Sequence, residues 1–184
     1  EESPEPITVF TTGSLRDVAA ALNRDEALCR QKIARLYVNA GHAGGEEEYN
    51  VKIDPHAYVR VMHSGLPIYL VPCFGVDGYE SYWKFTHREV LDDAPPGIQR
   101  FIVYALTKAD PEKRDPIQAL REPIPDDLRS QLWEQPRNMW CTGAFLHAAG
   151  RQCETFSFRD AGVLVEPSGR TTVGPLEMGR PMKV

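Results

Sequence analysis

Several features that would place this sequence in a specialised class of protein are missing. Its apolar runs are short, and the longest, such as Ile68–Val71 and Phe101–Leu106, fall far below the roughly 20 residues that a membrane-spanning helix needs. It has no run rich in Lys and Arg, and its formal net charge of -5 disfavours nucleic-acid binding, which requires a basic surface. We therefore expect neither a membrane nor a nucleic acid as a partner.

Motifs for metal and thiol chemistry are also scarce. The four cysteines, Cys29, Cys73, Cys141 and Cys153, form no C-x-x-C pair, and the five histidines form no H-E-x-x-H motif. These absences argue against zinc sites and thioredoxin chemistry. Scattered cysteines in a chain of this length are typical of buried thiols, which favours a reducing compartment. We therefore expect a cytoplasmic protein, although a mature protein whose signal peptide had been removed would have the same sequence features.

The bulk composition is that of a globular protein. The chain has 184 residues, of which 42% are hydrophobic and 26% charged, enough to build a sizeable core. An acidic, proline-rich lead-in covers residues 1–6, and no repeat or low-complexity linker follows it. We expect residues 1–184 to form a single domain.

Strand and helix patterns alternate in the first half of the chain. Helix caps are expected at Ser14, Asp25 and Asp54, of which the last is followed by a proline that suits a first helical turn. The predicted order is strand Ile7–Thr11, helices Leu15–Leu22 and Glu26–Arg35, strand Leu36–Ala40, a helix over 54–63 and strand Pro67–Val71. This order predicts an α/β fold: a mostly parallel sheet with helices on both faces and ligands at the carboxyl ends of its strands.

The second half is predicted to be helical and to end in a β-hairpin. Helices are expected over Tyr79–Asp92, Gly97–Lys108, Asp126–Leu132 and Asn138–Ala149. Apolar residues alternate in Thr155–Val173 around a Pro-Ser-Gly turn, which is typical of a hairpin.

Two segments near the carboxyl ends of the predicted strands carry candidate binding groups. The turn at Thr12 and Gly13, directly after the first predicted strand, places backbone groups where they could bind an ion, although a simple tight turn explains the same residues. Glu48 and Asn50, two residues apart in a segment expected to be extended, would point to the same side and could bind sugar hydroxyls. A solvated acidic loop before a helix cap is the alternative.

A third segment contains Trp140 and Cys141. The tryptophan could stack on a flat heteroaromatic ring, although tryptophans are more often partly buried core residues. A nucleophilic cysteine needs a base beside it, and His147, six residues further along the same predicted helix, does not share its face. We therefore do not expect Cys141 to be catalytic.

In this order the segments resemble the inosine–uridine-preferring nucleoside hydrolase family. Ile7–Ala19 is similar to the family's strand and Thr-Gly segment, and residues 39–41, here Asn-Ala-Gly, sit where the family has Met-Gly-Gly. Glu48–Asn50 followed by Asp54–Ala57 resembles the family's Glu-Phe-Asn and Asp-Pro-Glu-Ala signature. The match is dense over Ile7–Pro72 and weak beyond it.

The resemblance implies hydrolysis of the N-glycosidic bond of a nucleoside. In the family, a calcium ion and an aspartate activate the attacking water, and calcium lowers the pKa of that water. By resemblance, Glu48 and Asn50 would bind the ribose, and the backbone carbonyl of Thr12 would contribute to the calcium site. Late in its sequence the family has a His-Asp pair, and Trp140 and Cys141 are the best match to it here. A tryptophan at the first of these positions resembles the purine-preferring branch of the family, in which an indole stacks on the base.

The sequence departs from the family in two places. It contains no acidic Asp-x-Asp-x-Gly-x-Asp-Asp cluster, so it is identified as the C-terminal portion of such an enzyme and no catalytic aspartate is assigned. Cys141 takes the place of a calcium-binding aspartate, and calcium prefers oxygen ligands. The incomplete sheet predicts a homo-oligomer, or a partner chain that completes it.

Three functions fit these observations. The first is a nucleoside N-ribohydrolase that prefers purine nucleosides. The second is a nucleoside- or sugar-binding module that has lost calcium and catalysis. The third is an unrelated α/β domain, which the ordered segments disfavour. The first two share one geometric expectation: Thr12, Glu48 and Asn50 line one cleft at the carboxyl edge of the sheet.

Overall fold

The fold is seen in a computed structural model that describes residues 3–75, 82–107 and 115–184. The chain divides into two compact units. The larger unit contains the residues up to Tyr82 together with Trp140–Val184, and the smaller one contains Trp83–Met139. In chain order, the elements are β1 (Ile7–Thr11), α1 (Arg16–Arg24), α2 (Glu26–Lys32), β2 (Ile33–Val38), α3 (Tyr49–Ile53), α4 (Pro55–Met62), β3 (Ile68–Leu70), β4 (Trp83–Thr86), α5 (His87–Leu91), α6 (Pro96–Leu106), α7 (Pro116–Ala119), α8 (Asp126–Trp133), β5 (Pro136–Met139), α9 (Thr142–Ala148), β6 (Asp160–Val165), β7 (Thr171–Gly174), a 3-10 turn (Leu176–Met178) and β8 (Arg180–Lys183).

The larger unit is built on a mixed sheet that the sequence predicts well. Within the described residues, this sheet has six strands in the order β1-β2-β3-β8-β6-β7. The pairs β1–β2, β2–β3 and β3–β8 are parallel, whereas β6 pairs with β7 and β8 in the antiparallel sense. The α/β class and the C-terminal hairpin are therefore confirmed.

Both faces of this sheet are covered by helices. The main core lies on one face, where α1 and α4 pack Leu15, Leu22, Tyr58 and Met62 against the sheet. On the other face, α9 packs Ala144 against aromatic side chains that include Tyr37. Alternate residues of β2 serve the two cores because successive side chains of a strand point to opposite faces.

The boundaries around β2 differ from the sequence prediction. Helix α2 ends at Lys32, so the predicted helix Glu26–Arg35 is too long, and β2 begins at Ile33 instead of Leu36. The reason is non-local, because parallel pairing with β1 brings Ile33 opposite Ile7 and extends the strand. Asp25 caps α2 as expected, by accepting a hydrogen bond from the Leu28 N–H at 2.9 Å.

The smaller unit contains a β-ribbon that the sequence does not predict. Strands β4 and β5 pair antiparallel, with Trp83 opposite Met139. The expected helix Tyr79–Asp92 is therefore wrong over Trp83–Thr86, and its residues 79–81 lie outside the described part of the chain. The expected helix Asn138–Ala149 begins only at Thr142. Partners fifty or more residues apart along the chain stabilise this ribbon, so a local pattern does not reveal it.

The two edge strands of the main sheet differ in the hydrogen bonds that their outer sides make. At β7, the N–H of Gly45 donates to Thr171 O at 2.9 Å, and the N–H of Val173 donates to Ala43 O at 2.8 Å. At the opposite edge, β1 pairs only with β2 among the strands of the described residues, and Ile7 is 43% exposed. In the same residues, no helix is both long and apolar enough to cross a membrane.

Candidate functional site

The end of β1 is fastened to β2 by side chains as well as by the backbone. The Thr11 hydroxyl donates to Tyr37 O at 3.1 Å, and the Asn39 side-chain amide donates to Thr11 O at 2.8 Å. Thr12 and Gly13 follow as the turn into α1, and Thr12 is exposed. Ser14 does not cap this helix as expected: the N-cap residue is Leu15, and the Ser14 hydroxyl is buried without a hydrogen-bond partner among the described residues.

Glu48 is a buried carboxylate that organises the loop after β2. Its side chain caps α3 by accepting hydrogen bonds from the N–H groups of Asn50 at 3.0 Å and Val51 at 3.2 Å. The N–H of Gly41, near the end of β2, donates to it at 3.0 Å. Because Glu48 is only 5% exposed, these donors replace the water that its carboxylate loses on burial.

Asn50 is oriented by Glu48 and lies beside the turn after β1. Its Nδ2 donates to Glu48 Oε1 at 3.0 Å, which leaves its Oδ1 as an acceptor. A Cβ atom at Gly13 would lie 3.9 Å from that oxygen. The segment was expected to be extended, but Asn50 belongs to the short helix α3. Its position beside Glu48 therefore comes from the cap and not from strand alternation.

Asn50 Oδ1 and the Thr12–Gly13 turn thus form one corner at the carboxyl edge of the sheet, which we call the Asn50 corner. Gly41 lies between this corner and the core: its N–H donates to Glu48, and its backbone packs closely against Tyr58. Its φ is +95°, and a Cβ there would lie 2.8 Å from the Tyr58 hydroxyl. That hydroxyl is buried and hydrogen-bonded to Thr171 Oγ1 at 2.9 Å. The sequence gives no signal for these supporting contacts, because they join distant segments.

Trp140 belongs to an aromatic cluster at the carboxyl ends of β2 and β3. Its ring centroid lies 5.4 Å from that of Phe74 and 4.4 Å from that of Tyr82. Phe74 in turn accepts a backbone hydrogen bond from Ala43, in the loop that leads to Glu48. Because Trp140 and Phe74 are each 39% exposed, part of this aromatic surface is open to a planar ligand.

The cysteines near this cluster are ordinary thiols. Burial raises the pKa of the Cys141 thiol, and burial together with the charge of Glu48 raises the pKa of Cys73 to about 12. Both therefore stay protonated and unreactive as nucleophiles at neutral pH. Of the four free cysteines only Cys73 is fully buried, so the expectation of buried thiols holds for that residue alone.

The residues that the structure describes do not by themselves make a calcium site. The described part of the chain contains no cluster of three or more His, Cys, Asp or Glu side chains that could hold a metal ion. The Glu48 carboxylate is already occupied by N–H donors, and Cys141 offers a soft sulfur where calcium needs oxygen. Thr12 could contribute a carbonyl oxygen, but one such ligand is far short of the six to eight that calcium takes.

Comparison with known proteins places this arrangement in a family. The family model described as inosine-uridine preferring nucleoside hydrolase matches residues 1–174. A pyrimidine-specific ribonucleoside hydrolase, RihA, from Citrobacter koseri is 40% identical over 72 residues, which cover 36% of this chain and 23% of that protein. RihA of an Enterobacter species is 40% identical over 105 residues, which cover 54% of this chain and 29% of that protein.

A solved structure shares the fold. The inosine-uridine preferring nucleoside hydrolase of Bacillus anthracis superposes with a TM-score of 0.52 at 21% sequence identity, covering 100% of this chain and 56% of the other. The chain thus spans just over half of that structural relative and less than a third of the length of the two RihA relatives. Because the family model covers most of its length, the chain belongs to the inosine–uridine-preferring nucleoside hydrolase family.

Proposed function

We propose that this protein is the ribose-binding part of a ribonucleoside N-ribohydrolase and holds the sugar at the Asn50 corner. The observation that carries this proposal is the carboxamide of Asn50, which Glu48 turns so that its oxygen lies beside the Thr12–Gly13 turn. An oriented acceptor at the carboxyl edge of a parallel sheet suits the hydroxyl donors of a sugar. Family membership supplies the reaction, hydrolysis of the bond between ribose and base.

The roles of individual residues follow from their contacts. Asn50 Oδ1 accepts a hydrogen bond from a ribose hydroxyl, and Glu48 acts through Asn50 by fixing its orientation. Trp140, backed by Phe74 and Tyr82, stacks on the base. No step is assigned to calcium, because the described residues do not fit that ion.

We infer a preference for pyrimidine nucleosides. The purine preference that the resemblance implies at Trp140 is not supported, because the RihA relatives are described as pyrimidine-specific. An aromatic surface stacks on any base, since every base has a flat π face, so Trp140 is compatible with either class. Uridine and cytidine are therefore the first substrates to test, with inosine for comparison.

A calcium-free nucleoside- or sugar-binding module is the second candidate. Two observations favour it: the sulfur of Cys141 at the position of an expected oxygen ligand, and the engagement of the Glu48 carboxylate by N–H donors. Such a protein would bind a nucleoside at the same corner without cleaving it. The two candidates therefore share a binding site and differ in turnover.

One pair of assays separates these functions. Calorimetric titration with uridine measures binding, and release of reducing sugar from uridine, cytidine and inosine in the presence of calcium measures hydrolysis. Binding with sugar release supports the hydrolase. Binding without release in calcium supports the binding module, and absence of both contradicts the proposed ribose site.

We also propose that the outer edge of β1, which no strand of the described residues covers, pairs with another strand, from a second copy or from a partner chain. Its sequence, Ile-Thr-Val-Phe-Thr, is apolar and β-branched, which is typical of a strand with neighbours on both sides. Sedimentation of the purified chain over a range of concentrations tests self-association. A monomer at all concentrations would contradict pairing with a second copy.

A further inference from the structure

Asn39 is a buried polar residue with one half of its side chain unsatisfied. It follows β2 directly and is 2% exposed. Its Nδ2 donates to Thr11 O at 2.8 Å, whereas its Oδ1 is buried and receives no hydrogen bond from the described residues. Buried polar atoms are almost always paired, so an unpaired one requires an explanation.

The orientation of this carboxamide follows from its contacts. Thr11 O is an acceptor only, so the side chain of Asn39 must turn its NH₂ group toward it, and the opposite orientation would bring two oxygens together. The backbone N–H of Asn39 donates to the same Thr11 carbonyl at 3.2 Å. One residue thus directs two donors at the last carbonyl of β1, immediately before Thr12.

We propose that Asn39 is a positioning residue of the ribose site, whose carboxamide fixes the Thr12–Gly13 turn against Asn50. The turn leaves β1 at the carbonyl that Asn39 holds, and a Cβ added to Gly13 in this turn would lie 3.9 Å from Asn50 Oδ1. Loss of the second donor allows Thr11 O to rotate, which moves the turn relative to the ribose acceptor. This inference rests on the proposed ribose site and adds a residue that does not itself touch the sugar.

Stability alone does not account for an asparagine at this position. A leucine of similar size would remove the unpaired oxygen, and the Asn39 backbone N–H would still satisfy Thr11 O. Residues that lower stability while improving a site are a recognised feature of functional positions. A role in positioning the ribose site therefore explains better than stability does why this buried residue is polar.

The test compares ligand affinity with stability in the full 184-residue chain. Uridine and D-ribose are titrated by calorimetry into wild type, Asn39→Leu and Asn39→Asp, at a temperature where circular dichroism shows each protein folded. We expect both variants to bind both ligands about fivefold more weakly, the effect of one lost positioning hydrogen bond. The melting midpoint of Asn39→Leu should equal or exceed that of wild type.

Asn23→Leu is the matched control. Asn23 accepts an exposed hydrogen bond from Arg60 Nε at 3.0 Å, so its loss should leave ligand affinity unchanged. Wild-type affinity in the folded Asn39 variants would overturn the inference and leave the ribose site standing. An unfolded or much less stable Asn39→Leu would overturn it too, because the residue would then serve the fold. Absence of binding by wild type would overturn the ribose site and the inference together.

Discussion

Asn50 and Glu48 form a side-chain pair in which Asn50 Nδ2 donates to Glu48 Oε1 at 3.0 Å. The pair explains why an acidic residue is buried at this edge of the sheet. Glu48 accepts hydrogen bonds from Gly41, Asn50 and Val51, and Asn50 Oδ1 lies 3.9 Å from where a Cβ at Gly13 would be. Because Glu48 stabilises the loop and Asn50 binds the ligand, substitutions of the two residues should have different effects.

Replacing Glu48 with glutamine should destabilise the fold and weaken ribose binding. The amide offers one acceptor oxygen where two are used, and its NH₂ group faces N–H donors. We expect the free energy of unfolding to fall by about 1–3 kcal/mol, the cost of leaving buried donors unpaired. Urea denaturation measures this change.

The neighbouring Glu47 provides the control for that experiment. It is exposed and pairs with Lys52 at 3.5 Å, so Glu47→Gln should leave the unfolding midpoint close to that of wild type. Equal effects of the two substitutions would show that the buried helix cap of Glu48 does not contribute to the free energy of unfolding.

Gly41 should not tolerate a side chain. Its φ of +95° strains any L residue, and a Cβ would lie 2.8 Å from the Tyr58 hydroxyl. We expect Gly41→Ala to lower the free energy of unfolding by about 1–3 kcal/mol. Gly97→Ala is the control, because a Cβ at this helical glycine meets nothing within 4 Å and should be neutral or stabilising. Thermal and urea unfolding of the two variants check the difference.

Replacing Trp140 should weaken the binding of nucleosides without changing the binding of free ribose. Stacking of a base on an aromatic side chain contributes about 1–3 kcal/mol, so Trp140→Ala should weaken uridine binding at least about fivefold. The affinity for D-ribose, which lacks a base, should not change, and Trp140→Phe should restore most of the uridine affinity. A parallel loss for both ligands in calorimetry would mean that Trp140 supports the fold and does not stack on the base.

Asp54 makes a pH-dependent contribution to stability. The Ala57 backbone N–H, then the Arg16 guanidinium, lower the pKa of this helix-capping carboxyl below its usual range. A lowered folded-state pKa means that the unfolded chain binds the proton more readily, so the contribution is present above the ordinary carboxyl range and is lost as pH falls through the lowered pKa. Asp54→Asn, which keeps an oxygen for the cap, should unfold with a weaker acid dependence than wild type. Urea titrations from neutral pH to below about pH 4 would reveal an unchanged slope if this assignment is wrong.

The fold was largely predictable from local signals. Strand Ile7–Thr11 is apolar and β-branched, and Asp25 and Asp54 mark helix starts that the structure places at the next residue. These features depend on neighbours within a few positions, so the sequence exposes them directly. The β4–β5 ribbon and the true start of β2 depend on pairing with distant strands, which no local pattern records.

The candidate site was predictable in its members but not in its geometry. The spacing of Glu48 and Asn50 pointed to a shared side, yet the extended backbone assumed for it is replaced by a helix cap. No local pattern marks Asn39 as a site residue, because it lies inside the predicted strand Leu36–Ala40. Its importance lies in a hydrogen bond to Thr11, 28 positions earlier in the chain, and in an oxygen left unpaired.

The most direct test of the account is a calorimetric titration of uridine into the wild-type chain and into Asn50→Ala. We predict saturable binding at one site in wild type and an affinity about fivefold weaker in the variant, which lacks the oriented acceptor. Absence of binding in wild type, or the same affinity in both folded proteins, would contradict the assignment of a ribose site to the Asn50 corner.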